Sequence, residues 1–304
     1  MSYNQAHHRF AIFLALCTFL LIVAGAAVTS HDAGLSVPDW PTSFGSLYRI
    51  PPMVGGVEFE HGHRMVAQLV GLLTIVLAVW TQRVERRPWM RALAWAALAI
   101  VVAQGILGGI TVLFHLPPAV STAHATLAQS FFCIIVSMAL FTGRQWLEEP
   151  PLPLLQRGRP QLATLSVLAV CAVYVQLILG AAFRHSGMKL LPHLVSAVAV
   201  TSMLLWTSIR VLSQYGQVRR LRLPAVALLT LLFMQLALGF GSYLTRVEWG
   251  RGQPEGGLSM VLTTVAHVAV GALLLATTVV LAVESRRYTA EEQLASGSKQ
   301  AVAA

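Results

Sequence analysis

The chain has 304 residues, 56% of them hydrophobic and only 11% charged, with a mean hydropathy of +0.68. Soluble domains carry about 25% charged residues, so this composition excludes a water-soluble enzyme and also a disordered or fibrous chain. The formal charge of +9, from 21 Lys and Arg against 12 Asp and Glu, points to nucleic acid or to basic cytoplasmic loops, depending on where the charges lie.

Eight stretches lack Asp, Glu, Lys and Arg and are long enough to cross about 30 Å of hydrocarbon. In chain order they are 10–29, 65–82, 92–116, 117–143, 161–183, 190–209, 223–245 and 256–283. Pro117 and Pro118 split the third from the fourth with a tight turn. The first span carries Ala24-Gly25-Ala26, which looks like a cleavage site, but its 20 residues exceed a signal peptide's apolar region, so it is read as a span. Cys17, Cys133 and Cys171 all fall inside spans without a CxxC spacing, and are read as small apolar packing residues.

The charges then sort by side. The N-tail, the 83–91, 144–160 and 210–222 loops and the C-tail hold 15 basic and six acidic residues, a balance of +9. The 30–64, 184–189 and 246–255 segments hold six of each and balance to zero. The positive-inside rule therefore predicts a multi-pass cell-membrane protein with both termini in the cytoplasm. The net charge is accounted for on one face, with membrane lipid as surroundings and no nucleic-acid partner.

An internal repeat divides the chain. Gln104-Gly-Ile-Leu-Gly108, Gln176-Leu-Ile-Leu-Gly180 and Gln235-Leu-Ala-Leu-Gly239 lie near the ends of spans three, five and seven, and Leu21-Ile-Val-Ala-Gly25 is a degraded version in span one. Each even-numbered span carries one histidine near the same membrane side: His63, His124, His193 and His267. The predicted fold is an all-α integral membrane protein with eight transmembrane helices, arranged as two pseudo-repeated four-helix bundles. Residues 1–150 form the first, 151–285 the second after a Pro150, Pro151, Pro153 and Pro160 linker, and 286–304 a disordered cytoplasmic tail.

An ionisable residue inside a span is a functional candidate by default. Four at matching depth suit metal ligation better than a proton relay, because the spans hold no acidic partners. Two axial imidazoles per haem iron, from two helices of a bundle, use all four as His63 with His124 and His193 with His267. A four-histidine zinc site is the rarer alternative. Gly105, Gly108, Gly109, Gly239 and Gly241 suit either a flat macrocycle or plain helix packing. The remaining histidines are expected in wet surroundings: His7 and His8 in the N-tail, and His31, His115 and His185 at span ends. His61 stands two residues from His63, about 200° around a helix, so the two cannot face one cavity.

Glu60 stands three residues before His63 and four before Arg64, so all three can share a helical face. Such a carboxylate can move protons or stabilise a developing cation, or serve only as a helix-start acid paired with Arg64. The second half has no counterpart, with Leu190 and Thr264 at the matching positions. This asymmetry places chemistry in residues 1–150 and a structural or electron-transfer haem in 151–285.

The run Val28-Thr-Ser-His-Asp-Ala-Gly-Leu-Ser-Val-Pro-Asp-Trp-Pro41, then Pro51-Pro-Met-Val-Gly-Gly and Glu60-His-Gly-His-Arg64, resembles the haem A synthase family over nearly all of residues 10–285. The resemblance implies an oxidoreductase that converts a ring methyl of haem O to the formyl of haem A for terminal oxidases, through two successive oxidations and a hydrated aldehyde. It implies that Glu60 is catalytic, that His63 and His124 belong to the substrate-haem site, and that His193 and His267 bind a haem b. Many members carry an outer-loop cysteine pair, which this chain lacks. Arg64, Arg184, Lys189 and Arg246, with Arg251, are candidates to pair with haem propionates or are surface charges. Expected partners are haem O and an unidentified electron donor, with a haem O synthase or terminal oxidase as candidates. The rival readings are a non-enzymatic dihaem b electron carrier, which would need no Glu60, and a haem-handling permease.

Overall fold

The structure is a computed structural model describing residues 3–150, 154, 158–249 and 257–302 in backbone, with side chains as far as Tyr288. Arg251 and the linker prolines Pro151 and Pro153 lie outside the described residues. The helices are α1 (Gln5–Ser30), α2 (Gly56–Val84), α3 (Pro88–Leu113), α4 (Pro118–Thr142), a short α5 (Arg144–Glu148), α6 (Leu162–Arg184), α7 (Leu190–Gln214), α8 (Arg219–Tyr243) and α9 (Leu258–Val302). A π-helical turn, Leu244–Glu248, continues α8. Eight helices, all but α5, are long and apolar enough to span a membrane, and no strand occurs among the described residues. The chain is an all-helical multi-pass membrane protein.

Two boundaries differ instructively from the sequence reading. Helix α2 starts at Gly56 rather than at 65, because the charges that ended the apolar scan neutralise one another: Glu60 pairs with Arg64 at 2.6 Å, one helical turn away. Helix α9 continues to Val302, through the segment expected to be a disordered tail. Its Ala, Glu and Gln residues after Tyr288 are good helix formers and extend a helix already nucleated in the bundle.

The repeat is visible in how helices end. Ala33 N–H returns to Val28 O at 2.9 Å, Leu116 N–H to Thr111 O at 2.7 Å, and Gly187 N–H to Ala182 O at 2.8 Å. These closures terminate α1, α3 and α6 with positive φ at Asp32 (51°), His115 (58°) and Ser186 (59°). Helix α8 instead runs into its π-helical turn.

In the first half α1 packs on α2 and α4, α2 on α3 and α3 on α4; in the second α6 packs on α7 and α9, α7 on α8 and α8 on α9. Each set is thus a closed ring of four helices. Leu14, Leu77, Met90, Ile135 and Met138 fill the first, and Leu162, Leu204, Leu221, Leu228 and Leu281 the second. The two rings meet along α1, α4, α6 and α9, where Ile22, Phe132, Ala272 and Ala276 pack together and Ser130 meets the Tyr174 hydroxyl at 2.8 Å.

At the face that carries the termini, His7 departs from its expected solvated state. Helix α1 begins at Gln5, burying His7 against Trp80, with a 2.9 Å hydrogen bond to Thr81 Oγ1; His8 bonds Thr142 Oγ1 at 3.2 Å. Nearby, Glu85 caps the start of α3 by accepting from the N–H groups of Arg86 and Arg87 and from the Arg87 guanidinium.

Candidate functional site

All four candidate histidines lie toward the face opposite the termini, each on the helix that follows a repeat glycine. The helix carrying the repeat presents its glycine to the ring of the next helix. A Cβ added to Gly25 would stand 3.0 Å from His63 Cε1, one on Gly108 3.3 Å from His124 Cε1, one on Gly180 2.8 Å from His193 Cε1, and one on Gly239 3.0 Å from His267 Cε1. Real Cβ contacts rarely come this close, so each ring occupies space that only a missing side chain leaves open. Of the five glycines singled out by sequence, Gly108 and Gly239 seat rings. Gly105 and Gly241 do not: Gly105 faces open space and Gly241 faces Thr263. Gly109 receives the indole of Trp40. Gly25 and Gly180, left out of that group, are the other two seats. The pairing of each repeat with the following histidine was the signal that could have found them.

The seats also carry polar groups. The carbonyls of Leu21, Gln104, Gln176 and Gln235 lie one helical turn before the four glycines, on the same helices. The Nδ1 atom of every ring is buried and makes no hydrogen bond. In the second half the glutamine side chains add to this. Gln176 Nε2 lies 3.4 Å and Gln235 Nε2 3.3 Å from the ring Nε2 of His193 and His267. Gln176 also donates to His193 O at 3.0 Å and accepts from the Ser196 hydroxyl. Leu21 offers no such amide to His63.

The structure brings two of the rings together. His193 and His267 stand 6.4 Å apart between centroids and nearly perpendicular, at 81°. Two imidazoles sharing one metal, each about 2 Å from it, hold their centroids roughly 6 Å apart. His63 and His124 stand on α2 and α4, which face one another diagonally across the first ring of helices. Among the described residues, no group of three or more His, Cys, Asp and Glu side chains converges to hold a metal ion.

Glu60 is buried and fully engaged. Its Oε2 accepts from Val37 N–H at 2.8 Å and its Oε1 from Arg64 at 2.6 Å. Arg64 in turn donates to the carbonyls of Asp39 at 2.8 Å, Thr42 at 3.1 Å and Val37 at 3.3 Å. His61 joins through Ser43 Oγ at 3.0 Å, pointing away from His63 as the helical spacing requires. The residue 31–55 loop is therefore buttoned onto the start of α2, one turn from His63. His31 stacks on Phe59 with centroids 3.7 Å apart, while Trp40 rests on Gly109 and Leu116 on Gly34. The loop covers this end of the first helix ring, and the second half has no equivalent among the described residues.

The basic candidates fare differently. Arg184 reaches across the junction of the halves to Ala26 O at 3.1 Å and Ser30 Oγ at 2.7 Å, and Ser30 meets Thr264 Oγ1 at 2.9 Å. This chain of contacts adjoins the Gly25 seat and lies one turn from His267; no sequence signal marked Ser30 or Thr264. Arg246 lies in the π-helical turn, and Lys189 is exposed at the start of α7. Next to Arg184, burial and then the charges of Arg184, His124 and Arg246 push the His185 imidazole down to about 4, so it is neutral at pH 7.

Comparison with known proteins fits this geometry. The profile of the COX15-CtaA family, "Cytochrome oxidase assembly protein", matches residues 57–190, the stretch from the start of α2 to the start of α7. The chain is 30% identical to a "Heme A synthase" of Exiguobacterium sp. strain AT1b over 59% of this chain and 58% of that protein. It is 33% identical to a "Heme A synthase" of Symbiobacterium thermophilum over 55% of this chain and 56% of the relative. One from Alkalihalophilus pseudofirmus is 25% identical over 58% of this chain and 59% of its own length. In each case the match spans less than two thirds of the relative.

Proposed function

We propose, from the match of residues 57–190 to the COX15-CtaA family profile, that this chain belongs to that family and is a membrane oxidoreductase converting a ring methyl of haem O to the formyl of haem A. Residues 1–150 hold the substrate haem through His63 and His124, and residues 151–285 hold a haem b through His193 and His267. The observation that carries this reading is the fourfold seat: four rings, each against a glycine, each with a buried Nδ1 that makes no hydrogen bond. Four neutral imidazoles fit a bis-imidazole macrocycle in each half, provided that Gln176 and Gln235 release the Nε2 atoms of His193 and His267 to the metal.

A bound haem b supplies one-electron chemistry, and the chain's own residues do the rest. Gln176 and Gln235 steady the two rings of the second half, which must keep its cofactor. The first half must exchange its occupant, and Leu21 leaves His63 without an amide neighbour. Glu60 is the acid–base group: release of Val37 N–H frees Oε2 to take up or return a proton, while Arg64 keeps the carboxylate aligned. The residue 31–55 loop excludes water from this end. Arg184, Lys189 and Arg246 supply positive charge for haem carboxylates, and Arg64 joins them only by giving up contacts to the loop. The 15 basic residues at the terminal face support an orientation with both termini in the cytoplasm.

The test is pigment extraction from the purified protein after co-expression with a haem O source. Haem A or a hydroxylated haem O is the expected product. Haem b alone would overturn the reading in favour of an electron carrier, for which Glu60 is only the anchor of the loop.

A further inference from the structure

Four glycines on four helices approach four rings edge-on, yet helix packing alone would explain small residues anywhere along these helices. What distinguishes these four is selectivity within one helix. Gly105 and Gly108 share α3, one turn apart; a Cβ at Gly105 meets nothing within 4 Å, whereas one at Gly108 meets His124. Gly71 on α2 likewise meets nothing within 4 Å. Close approaches occur elsewhere too, as at Gly109 against Trp40 and Gly271 against Gln235, but the glycine of every repeat meets the histidine of the following helix.

The second observation is the ring edge that each glycine meets. Cε1 is the nearest ring atom in all four seats, and Nδ1 is next or equal next at 3.5, 3.9, 3.1 and 3.5 Å for Gly25, Gly108, Gly180 and Gly239. That Nδ1 atom is the buried one without a close hydrogen bond. Each seat therefore fixes both how deep the ring sits and which ring edge, the Cε1–Nδ1 edge, is turned to the glycine.

We propose that Gly25, Gly108, Gly180 and Gly239 are positioning residues, which hold His63, His124, His193 and His267 in the one ring orientation that presents Nε2 to an axial metal. This rests on the haem reading above. A methyl group at a seat pushes the ring off the glycine's helix and displaces Nε2 with it. The clearances order the effect: Gly180 is tightest at 2.8 Å, Gly25 and Gly239 follow at 3.0 Å, and Gly108 is loosest at 3.3 Å.

The test uses full-length protein in nanodiscs, with iron spin state read by electron paramagnetic resonance and haem content per chain. G180A and G239A are expected to lower low-spin bis-imidazole haem b about tenfold, as overpacking of a filled site predicts. G25A acts likewise on the other haem, G108A acts least, and G105A and G71A keep the wild-type spectrum. Stability separates seating from folding through a double-mutant cycle. With the ring absent, alanine at 180 is simply the better helix former, so G180A/H193A should fold about fivefold more favourably than H193A. A G180A protein with unchanged spin state and haem content overturns the inference, as does an unfolding cost for G180A that persists in the H193A background. A wild-type protein devoid of low-spin bis-imidazole haem overturns the functional reading itself.

Discussion

Replacing Glu60 separates its two candidate roles. In Glu60→Ala the buried Arg64 guanidinium loses its carboxylate and Val37 N–H loses its acceptor. Removing one partner of a buried pair costs about 3–5 kcal/mol. Arg64 keeps three loop carbonyls and Ser43 Oγ as acceptors, which lowers the figure. A net loss of about 2–3 kcal/mol follows, concentrated in the loop, because orphaning the Val37 N–H alone accounts for about 1–3 kcal/mol. At 1.4 kcal/mol per factor of ten, amide protection around Val37 should fall roughly 30-fold to 150-fold. Glu60→Gln keeps a single oxygen; turned to Val37 N–H it preserves that bond and gives up the charge-assisted one to Arg64, so it should cost about 1.5–3 kcal/mol while holding Val37 protection within about tenfold of wild type. Its haem A yield should nonetheless fall about 100-fold or more, since an amide cannot carry the proton. Hydrogen-exchange mass spectrometry of the loop in nanodiscs and pigment extraction report the two effects separately. Val37 protection within twofold of wild type in Glu60→Ala would refute the clamp. Wild-type haem A yield in Glu60→Gln would refute the acid–base role.

Three further outcomes follow from local contacts. Arg184→Met removes the bridge to Ala26 and Ser30 between the halves and should lower stability by about 2 kcal/mol, read from thermal unfolding, since hydrogen bonds to charged groups contribute about 1.5–3 kcal/mol. Gly56→Ala places a Cβ onto the Ser36 hydroxyl and should cost about 1–3 kcal/mol, with Ser36→Gly in the same chain restoring the melting temperature. Glu85 lies between α2 and α3, where burial opposes its charge but hydrogen bonds from the Arg87 side chain and backbone, the Arg87 charge and the Arg86 N–H outweigh it and hold the carboxyl below 4.5. A depressed folded value means its stabilisation is complete above 4.5 and is lost as the pH falls through the lower folded value. Melting temperature should therefore drop less steeply on acidification in Glu85→Gln than in the wild type, and parallel curves would refute this.

Much of the architecture was legible because membrane insertion imposes simple rules on sequence. Each span must be apolar over its length and satisfy its own backbone hydrogen bonds, so eight uncharged stretches read as eight helices. The four histidines stood out for the same reason, being rare ionisable groups in apolar runs. The charged residues beside the spans were harder to read. Composition stopped span two at 65, although Glu60 and Arg64 pair within a helix that begins at Gly56. His7 looked like a solvated tail residue, and burial against Trp80 and Thr81 depends on a neighbouring helix 74 positions along the chain.

The sequence by itself determined the number of spans, the repeat, the asymmetry of Glu60 and the identity of the four candidate ligands, because periodicity and polarity are local properties. Only the tertiary structure decided which glycines matter and what Glu60 touches. Gly105 and Gly108 are chemically identical and one helical turn apart, yet a ring from α4 lies against one and not the other. Glu60 and Val37 are 23 residues apart and meet because the loop folds back over the helix ring. Such contacts arise from how separate helices and loops are brought into register, and no local pattern encodes that register.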